Sequence, residues 1–228
     1  MSRKLIIFGD GEIATLAHFY FSNDSNYEVL GFCVDQKFKN KNILNELPIF
    51  SLEEIEGKFK KNEVEFHIAI SYSKLNKDRE TKYNQIKKMG YKLASYVSTK
   101  SNTWNDLEYG DNCFILEGQT LQPTIKIGNN VMIWSGNHIG HNSIIDDHVY
   151  ISSHVVISGN CKIGSRSFLG VNSTIKDFTN IGKDCFITMG ALVKNDLEDG
   201  STIISENSKI FLKDDPINYK IRKKYFNL

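Results

Sequence analysis

The sequence has no run of about 18 apolar residues, so the ordinary signature of a membrane-spanning helix is missing. It carries almost no surplus of either charge. The 28 Lys and Arg stand against 27 Asp and Glu, a formal net charge of +1. A chain so balanced offers no bulk attraction to nucleic acid or to an anionic membrane surface. The four cysteines, Cys33, Cys113, Cys161 and Cys185, are scattered and contain no C-x-x-C pair. That pattern fits reduced thiols and not a disulfide framework. The opening "MSRKLIIFGDG" has two basic residues, but its apolar run is only Leu5–Phe8. A secretory signal needs a longer apolar core and a small-residue cleavage site. The expectation is a cytoplasmic globular protein, and 40% hydrophobic with 24% charged residues is ordinary for one.

Residues 1–98 alternate between strand and helix patterns. "KLIIFG" (4–9), "YEVLGFCVD" (27–35), "EFHIAIS" (65–71) and "KLASYVS" (92–98) read as strands. "EIATLAHFYFSN" (12–23) has apolar residues at helical spacing. "SLEEIEGKF" (51–59) places Ser51 and Glu54 in capping-box register, and "KLNKDRETKYNQIKKMG" (74–90) is a charged helix closed by Gly90. The order predicts a small parallel sheet with helices on it. Gly9 and Gly11 stand between the first strand and its helix, where helix N–H groups can meet a phosphate. The full dinucleotide pattern is not met, because its third glycine position is Ala14. No second α/β half follows, so NAD is not expected; a glycine turn serving only chain geometry is the alternative to a phosphate or nucleotide site.

From Ile115 the period becomes six: "ILEGQT LQPTIK IGNNVM IWSGNH IGHNSI IDDHVY ISSHVV ISGNCK IGSRSF LGVNST IKDFTN IGKDCF ITMGAL VKNDLE". All fourteen blocks open with Ile, Leu or Val. Glycine often follows, at 128, 140, 164, 170 and 182, and the fifth slot is mostly small or β-branched. Neither a helix nor a hairpin sheet repeats every six residues, whereas a parallel β-helix of hexapeptides does. Three blocks make one triangular coil, so residues 18 apart stack and the leading aliphatics fill the interior.

An α/β segment opening with "IIFGDGEIA" and followed by this solenoid resembles the sialic acid O-acetyltransferase and nucleotide-amino-sugar N-acetyltransferase family. The likeness runs over roughly residues 1–205. It implies a Rossmann-like nucleotide-sugar domain (1–98), a connection (99–112), a left-handed β-helix acyltransferase domain (113–205) and a C-terminal tail (206–228). It further implies a homotrimer with acetyl-CoA between adjacent β-helices. The activity implied is transfer of acetyl from acetyl-CoA to the amine of a nucleotide-linked deoxyamino sugar, for bacterial surface glycan synthesis. O-acetylation of sialic acid or a related sugar, and a non-catalytic trimeric nucleotide-sugar scaffold, are the alternatives.

The resemblance carries over to particular residues. "FGDGEIA" supplies Gly9, Asp10 and Gly11 toward the nucleotide sugar; "VDQK" supplies Asp35, Gln36 and Lys37; "SYSKLNKDR" supplies Ser71, Asn76 and Arg79. "IGHN" puts His141 where the family has its catalytic histidine. Tyr150, Gly159 in "GNCKIG", and Gly190 and Lys194 in "MGALVKN" fall where the family meets acetyl-CoA. Two positions depart. Asn142 stands where the family usually has Asp or Glu, and Tyr150 where it often has a second histidine. Asn142, Asp146 and Asp147 are therefore the candidates for orienting His141, the aspartates being otherwise solvated turn residues.

Imidazole suits this chemistry because it exchanges a proton near neutral pH. His141 takes the third slot of its block, outside the interior row, and its coil neighbours are Gly159 and Asp177. A glycine there leaves space and an amide for an oxyanion; the alternative is a solvated corner histidine. His138, His148 and His154 complete a local cluster of four, but the frame sends His148 and His154 to different sides of the triangle. No metal is therefore expected, since a metal needs three or four converging ligands. Arg222, Lys223 and Lys224 could meet coenzyme phosphates, or could be the solvated face of a terminal helix with Ile217, Ile221 and Tyr225 turned inward.

Overall fold

A computed structural model of the chain describes residues 2–206 and 208–226; Met1, Asn207, Asn227 and Leu228, which the expected segments include, lie outside it. The chain opens with β1 (Arg3–Phe8), whose apolar run is fully buried because both faces of a parallel sheet are covered. Helix α1 (Glu12–Asn23) turns Ala14, Ala17 and Phe21 onto the sheet. Next come β2 (Tyr27–Val34), the short β3 (Ile43–Leu44), β4 (Leu47–Ser51) and α2 (Leu52–Lys58). The capping box is present: Glu54 N donates to Ser51 Oγ at 3.3 Å and Ser51 N donates to Glu54 Oε2 at 2.8 Å. β5 (Glu65–Ile68), α3 (Lys77–Lys88) and β6 (Lys92–Leu93) complete the unit. The sheet order is β3-β4-β2-β1-β5-β6, parallel except for the β3–β4 edge pair.

Two local differences from the sequence reading have simple causes. β4 was not anticipated, because Pro48 breaks its pattern; Pro48 sits in the β3–β4 edge pair, where a missing donor is tolerated. Gly31 allows that neighbour to approach, since a Cβ there would lie 2.6 Å from Pro48 O. The strand expected over 92–98 is two strands. β6 stays in the sheet, whereas β7 (Tyr96–Val97) pairs with Phe114–Ile115. The stretch expected to be a connection is already laddered: Asn102 bridges Thr120, and Glu108–Tyr109 pairs with Lys126–Ile127. The solenoid thus begins one coil earlier than its aliphatic pattern.

The rest of the chain, to Ile203, is a parallel β-helix with three faces. The first face carries the strands at 96, 114, 132, 150, 168, 186 and 202; the second those at 120, 138, 156, 174 and 192; the third those at 108, 126, 144, 162 and 180. All fourteen leading aliphatics, Ile115 to Val193, are buried in one continuous core. The corners turn through a left-handed residue every six positions. These include Asn130, Asn142, His148, His154, Asn160 and Arg166, all with φ between 56° and 66°. Glycine in the second slot therefore does not serve the turn. It lets coils touch: a Cβ on Gly140 would be 2.5 Å from Gly159 N.

The sheet unit packs on the first face. Outward residues Tyr96, Phe114, Met132 and Tyr150 are buried there with Phe21 of α1. Asn112 Oδ1 accepts from Ile68 N at 2.7 Å, tying the solenoid corner to β5. At the other end, α4 (Pro216–Phe226) buries none of its residues, and Asn218 Nδ2 ties it to the segment before it by donating to Leu212 O at 3.0 Å. Ile217, Ile221 and Tyr225 are 50%, 39% and 70% exposed, so the inward-facing expectation for them does not hold. No helix among the described residues is long and apolar enough to cross a membrane.

Candidate active site

His141 stands at the corner between the second and third faces, one residue before the left-handed Asn142, and its side chain is exposed. The coil below supplies its partner. Gln122 Oε1 accepts from the His141 backbone N–H at 2.8 Å and lies 3.0 Å from His141 Nδ1. The backbone N–H can only donate, so the atom facing it is the amide oxygen. An amide oxygen can only accept, so Nδ1 carries the ring proton. The Nε2 lone pair is left free for an incoming proton. The coil above supplies the floor: a Cβ on Gly159 would lie 2.6 Å from Cε1 and 2.9 Å from Nε2 of the imidazole. The space left by glycine is filled by the ring itself. The Gly159 backbone N–H has no acceptor among the described residues.

Gln122 was not anticipated, and the proposed orienters are elsewhere. Asn142 belongs to a corner ladder. Its side chain meets Thr124 Oγ1 at 2.5 Å and donates to Asn160 Oδ1 at 3.1 Å. Asp146 and Asp147 lie at the next corner, a whole face away. Asp147 there accepts from Asn129 N at 2.6 Å and Asn129 Nδ2 at 3.2 Å. A residue 19 positions before His141, one coil down and one slot over, was the signal to read.

The other histidines disperse as the frame predicts. His138 projects from the second face, His148 turns the corner between the third and first faces, and His154 the corner between the first and second. His148 is buried and its imidazole is pulled down, chiefly by burial. Its Nδ1 lies 2.8 Å from Asn130 Nδ2 and its Nε2 3.5 Å from Glu80 Oε1, a packed structural position.

The residues expected at acetyl-CoA do not form one group within a chain. Gly159 and Lys194 lie toward the His141 corner, Gly190 turns the corner between the first and second faces, and Tyr150 is buried on the first face. The nucleotide-sugar residues divide more sharply. Gly9, Asp10, Gly11, Asp35, Gln36, Lys37 and Ser71 gather at the carboxyl ends of β1, β2 and β5, where open α/β sheets take ligands. Gly9 has φ +129°, and a Cβ there would be 2.8 Å from Ala69 O, so glycine is required. Gly11 caps α1 with no side-chain hydrogen bond. Asp10 lies 3.6 Å from Lys41 Nζ, and Asp35 accepts from the buried Lys82 at 2.6 Å.

Asn76 and Arg79 are not ligand-facing. Both are buried, and they clamp the sheet unit to the solenoid. Asn76 Nδ2 donates to Arg166 O at 2.8 Å; Arg79 Nη2 donates to His148 O at 2.9 Å and to Asn76 Oδ1 at 3.2 Å. Lys74, Leu75 and Asn76 all have positive φ (49°, 52° and 66°), a strained run that swings Asn76 under the solenoid before α3 begins.

Comparisons agree with this architecture. The family described as bacterial transferase hexapeptide (six repeats) matches residues 124–159. Among curated proteins, none matches the sequence. The acetyltransferase domain of PglB from Neisseria gonorrhoeae superposes with a TM-score of 0.79 at 20% identity, over 88% of this chain and 96% of that one. A mutant perosamine N-acetyltransferase from Caulobacter crescentus, solved with CoA and GDP-perosamine, gives 0.79 at 17% identity, over 92% and 97%. WeeI from Acinetobacter baumannii gives 0.76 at 21% identity, over 92% and 100%. These likenesses establish the fold, an α/β unit followed by a left-handed β-helix of hexapeptide repeats.

Proposed function

We propose that this chain is a cytoplasmic acetyl-CoA-dependent N-acetyltransferase acting on the amino group of a nucleotide-linked deoxyamino sugar, for bacterial surface glycan synthesis. The observation that carries the reading is the His141 imidazole. It is exposed, floored by Gly159, and held by Gln122 in the tautomer that frees Nε2. In the reaction the neutral sugar amine attacks the thioester carbonyl carbon. Nε2 takes the proton from that nitrogen, and the Gly159 N–H donates to the developing oxyanion. The C–S bond then breaks, and the imidazolium returns the proton to the departing thiolate. Acetyl-CoA contributes the activated acetyl group; Gly159, Gly190, Lys194 and Tyr150 remain its candidate contacts.

The same reading makes the assembly a homotrimer with sites between subunits. The sheet unit packs on the first face, whereas His141 stands at the opposite corner. One copy's nucleotide sugar would therefore be served by another copy's histidine. A monomer by light scattering would remove this part of the proposal.

The experiment is release of free thiol from acetyl-CoA over a panel of UDP-, dTDP- and GDP-linked amino sugars. Turnover is expected with an amino sugar, and His141→Ala should lower kcat by about 10²–10⁴. Equal turnover with an analogue bearing only hydroxyls would shift the assignment to O-acetylation. Turnover within a few-fold of wild type for His141→Ala would remove the base. Tight acetyl-CoA binding without turnover on any sugar would leave the scaffold reading.

A further inference from the structure

Six of the chain's 28 Lys and Arg, but only two of its 27 Asp and Glu, fall within residues 208–226. The balanced charge of the whole chain therefore conceals a local surplus of cations. Lys220, Arg222, Lys223 and Lys224 all lie on α4, which carries no acid. Among the described residues, none of the six cations is ion-paired with a carboxylate.

The same helix presents an apolar row. Ile217, Ile221 and Tyr225 recur every four residues, so they share one side, and all three are exposed. Lys220 and Lys224 stand three residues after Ile217 and Ile221 and flank the row. Asn218 flanks its other side, and its Nδ2 donates to Phe211 O at 3.3 Å and to Leu212 O at 3.0 Å. Those bonds bring the preceding segment alongside, where Ile210 and Leu212 are also exposed. Lys224 Nζ lies 5.7 Å from the centre of the Tyr225 ring, and Lys223 Nζ 6.0 Å from that of Tyr219. Asp215 holds the start of the helix, accepting from Ile217 N at 2.7 Å.

We infer that α4 is a docking element for an anionic phospholipid surface, lying in the plane of the interface. Its apolar row would enter the acyl boundary while its cations meet lipid phosphates. The inference stands apart from the acetyl-transfer reading and does not need it. Charge and apolar surface together choose the occupant. A nucleic acid or a free polyphosphate would use the cations and leave the apolar row in water. An uncharged protein groove would use the row and leave four cations without partners. Amphipathic aromatic side chains beside lysines suit the boundary between headgroups and hydrocarbon. Eleven residues of helix are about 16 Å long, roughly half the hydrocarbon thickness of a bilayer, so α4 can lie on a membrane but not cross it.

The test is sedimentation of the full chain with vesicles of phosphatidylcholine alone, or of phosphatidylcholine with one-quarter phosphatidylglycerol. Binding is expected to the anionic vesicles only, and to fall steeply between about 0.1 M and about 0.5 M salt. Each cation removed should lower the partition coefficient about fivefold. Arg222→Gln, Lys223→Gln and Lys224→Gln together should thus lower it about 100-fold. Ile217→Ala with Ile221→Ala keeps the charge and the helix propensity, and should lower it about tenfold or more. Neither variant should change Tm, because α4 buries none of its residues. No binding to anionic vesicles would overturn the inference, as would binding that the glutamine variant leaves unchanged. Binding indifferent to the alanine pair would reduce the contact to charge alone and overturn the docking geometry. Release from vesicles by micromolar acetyl-CoA would assign the cations to the coenzyme instead. A fall in Tm, or a change of oligomeric state in either variant, would mean that another copy covers the helix, which overturns it too.

Discussion

At the scale of single residues, the neutral partner of His141 is the feature with the most chemical consequence. Gln122 orients the ring and fixes its tautomer without adding negative charge. Gln122→Ala removes both hydrogen bonds, and the exposed ring is then free to rotate. A misplacement of about 1 Å costs on the order of 10²-fold, so kcat is expected to fall by about 10- to 100-fold while the acceptor KM stays close to wild type. Gln122→Glu keeps an acceptor but places a carboxylate against Nδ1–H, which stabilises imidazolium. The acidic limb of its pH–rate profile should move to higher pH relative to wild type. An unmoved limb would show that Gln122 does not act through the imidazole. The sequence pointed to His141 but not to Gln122. The pairing crosses coils diagonally, and the family's acidic neighbour drew attention to Asn142 instead.

At the scale of elements, the hexapeptide frame was legible almost in full, because each inward slot demands the same aliphatic residue type and repeats it. The interior row from Ile115 to Val193 lies where the period put it. What the period could not convey was contact from outside. The first coil carries no run of leading aliphatics, and Asn76 and Arg79 look like any polar residues until the solenoid covers them. Nor did a glycine disclose its purpose. Gly159 and Gly140 look alike in sequence, yet a methyl on each meets different things. On Gly159 it meets the imidazole of an exposed side chain; on Gly140 it meets the backbone of Ser158 and Gly159 at 2.5 Å. The ring can swing away, and the backbone cannot. Gly159→Ala should therefore lower kcat at least tenfold with little change in Tm. Gly140→Ala should destabilise by about 1–3 kcal/mol as read by thermal melting. The reverse pattern would mean that His141 is not seated over Gly159.

At the scale of the whole molecule, stability depends on the seam between sheet unit and solenoid, and that seam contains a titratable group with one satisfied nitrogen. His67 of β5 is fully buried between Phe21 of α1 and Phe114 of the first face. Its Nδ1 donates to Ala94 O at 3.0 Å, and Nε2 has no partner among the described residues. Burial pulls the imidazole down to about 4, the Ala94 hydrogen bond opposes this, and the charge of Arg79 adds to it. In the unfolded chain the same group titrates near 6.5. The unfolded state thus binds the proton first as pH falls. His67 contributes its full stability above about pH 6.5 and loses it progressively down to about 4, on the order of 3 kcal/mol in all. His148, also pulled down by burial, adds to the same slope. Asp24, which joins α1 to the first coil, titrates lower: burial pushes its carboxyl up, but hydrogen bonds from Thr99, Tyr96 and Ser98 outweigh that and hold it at about 2. The window between pH 6.5 and 4 therefore isolates the histidines from this carboxylate. Urea denaturation across that window should show wild type losing stability faster than His67→Asn, whose amide nitrogen stands where Nδ1 does and can still donate to Ala94 O but cannot take up a proton there. Equal slopes in the two proteins would mean that His67 is not sealed in the seam, and that acid reaches it before the two units part.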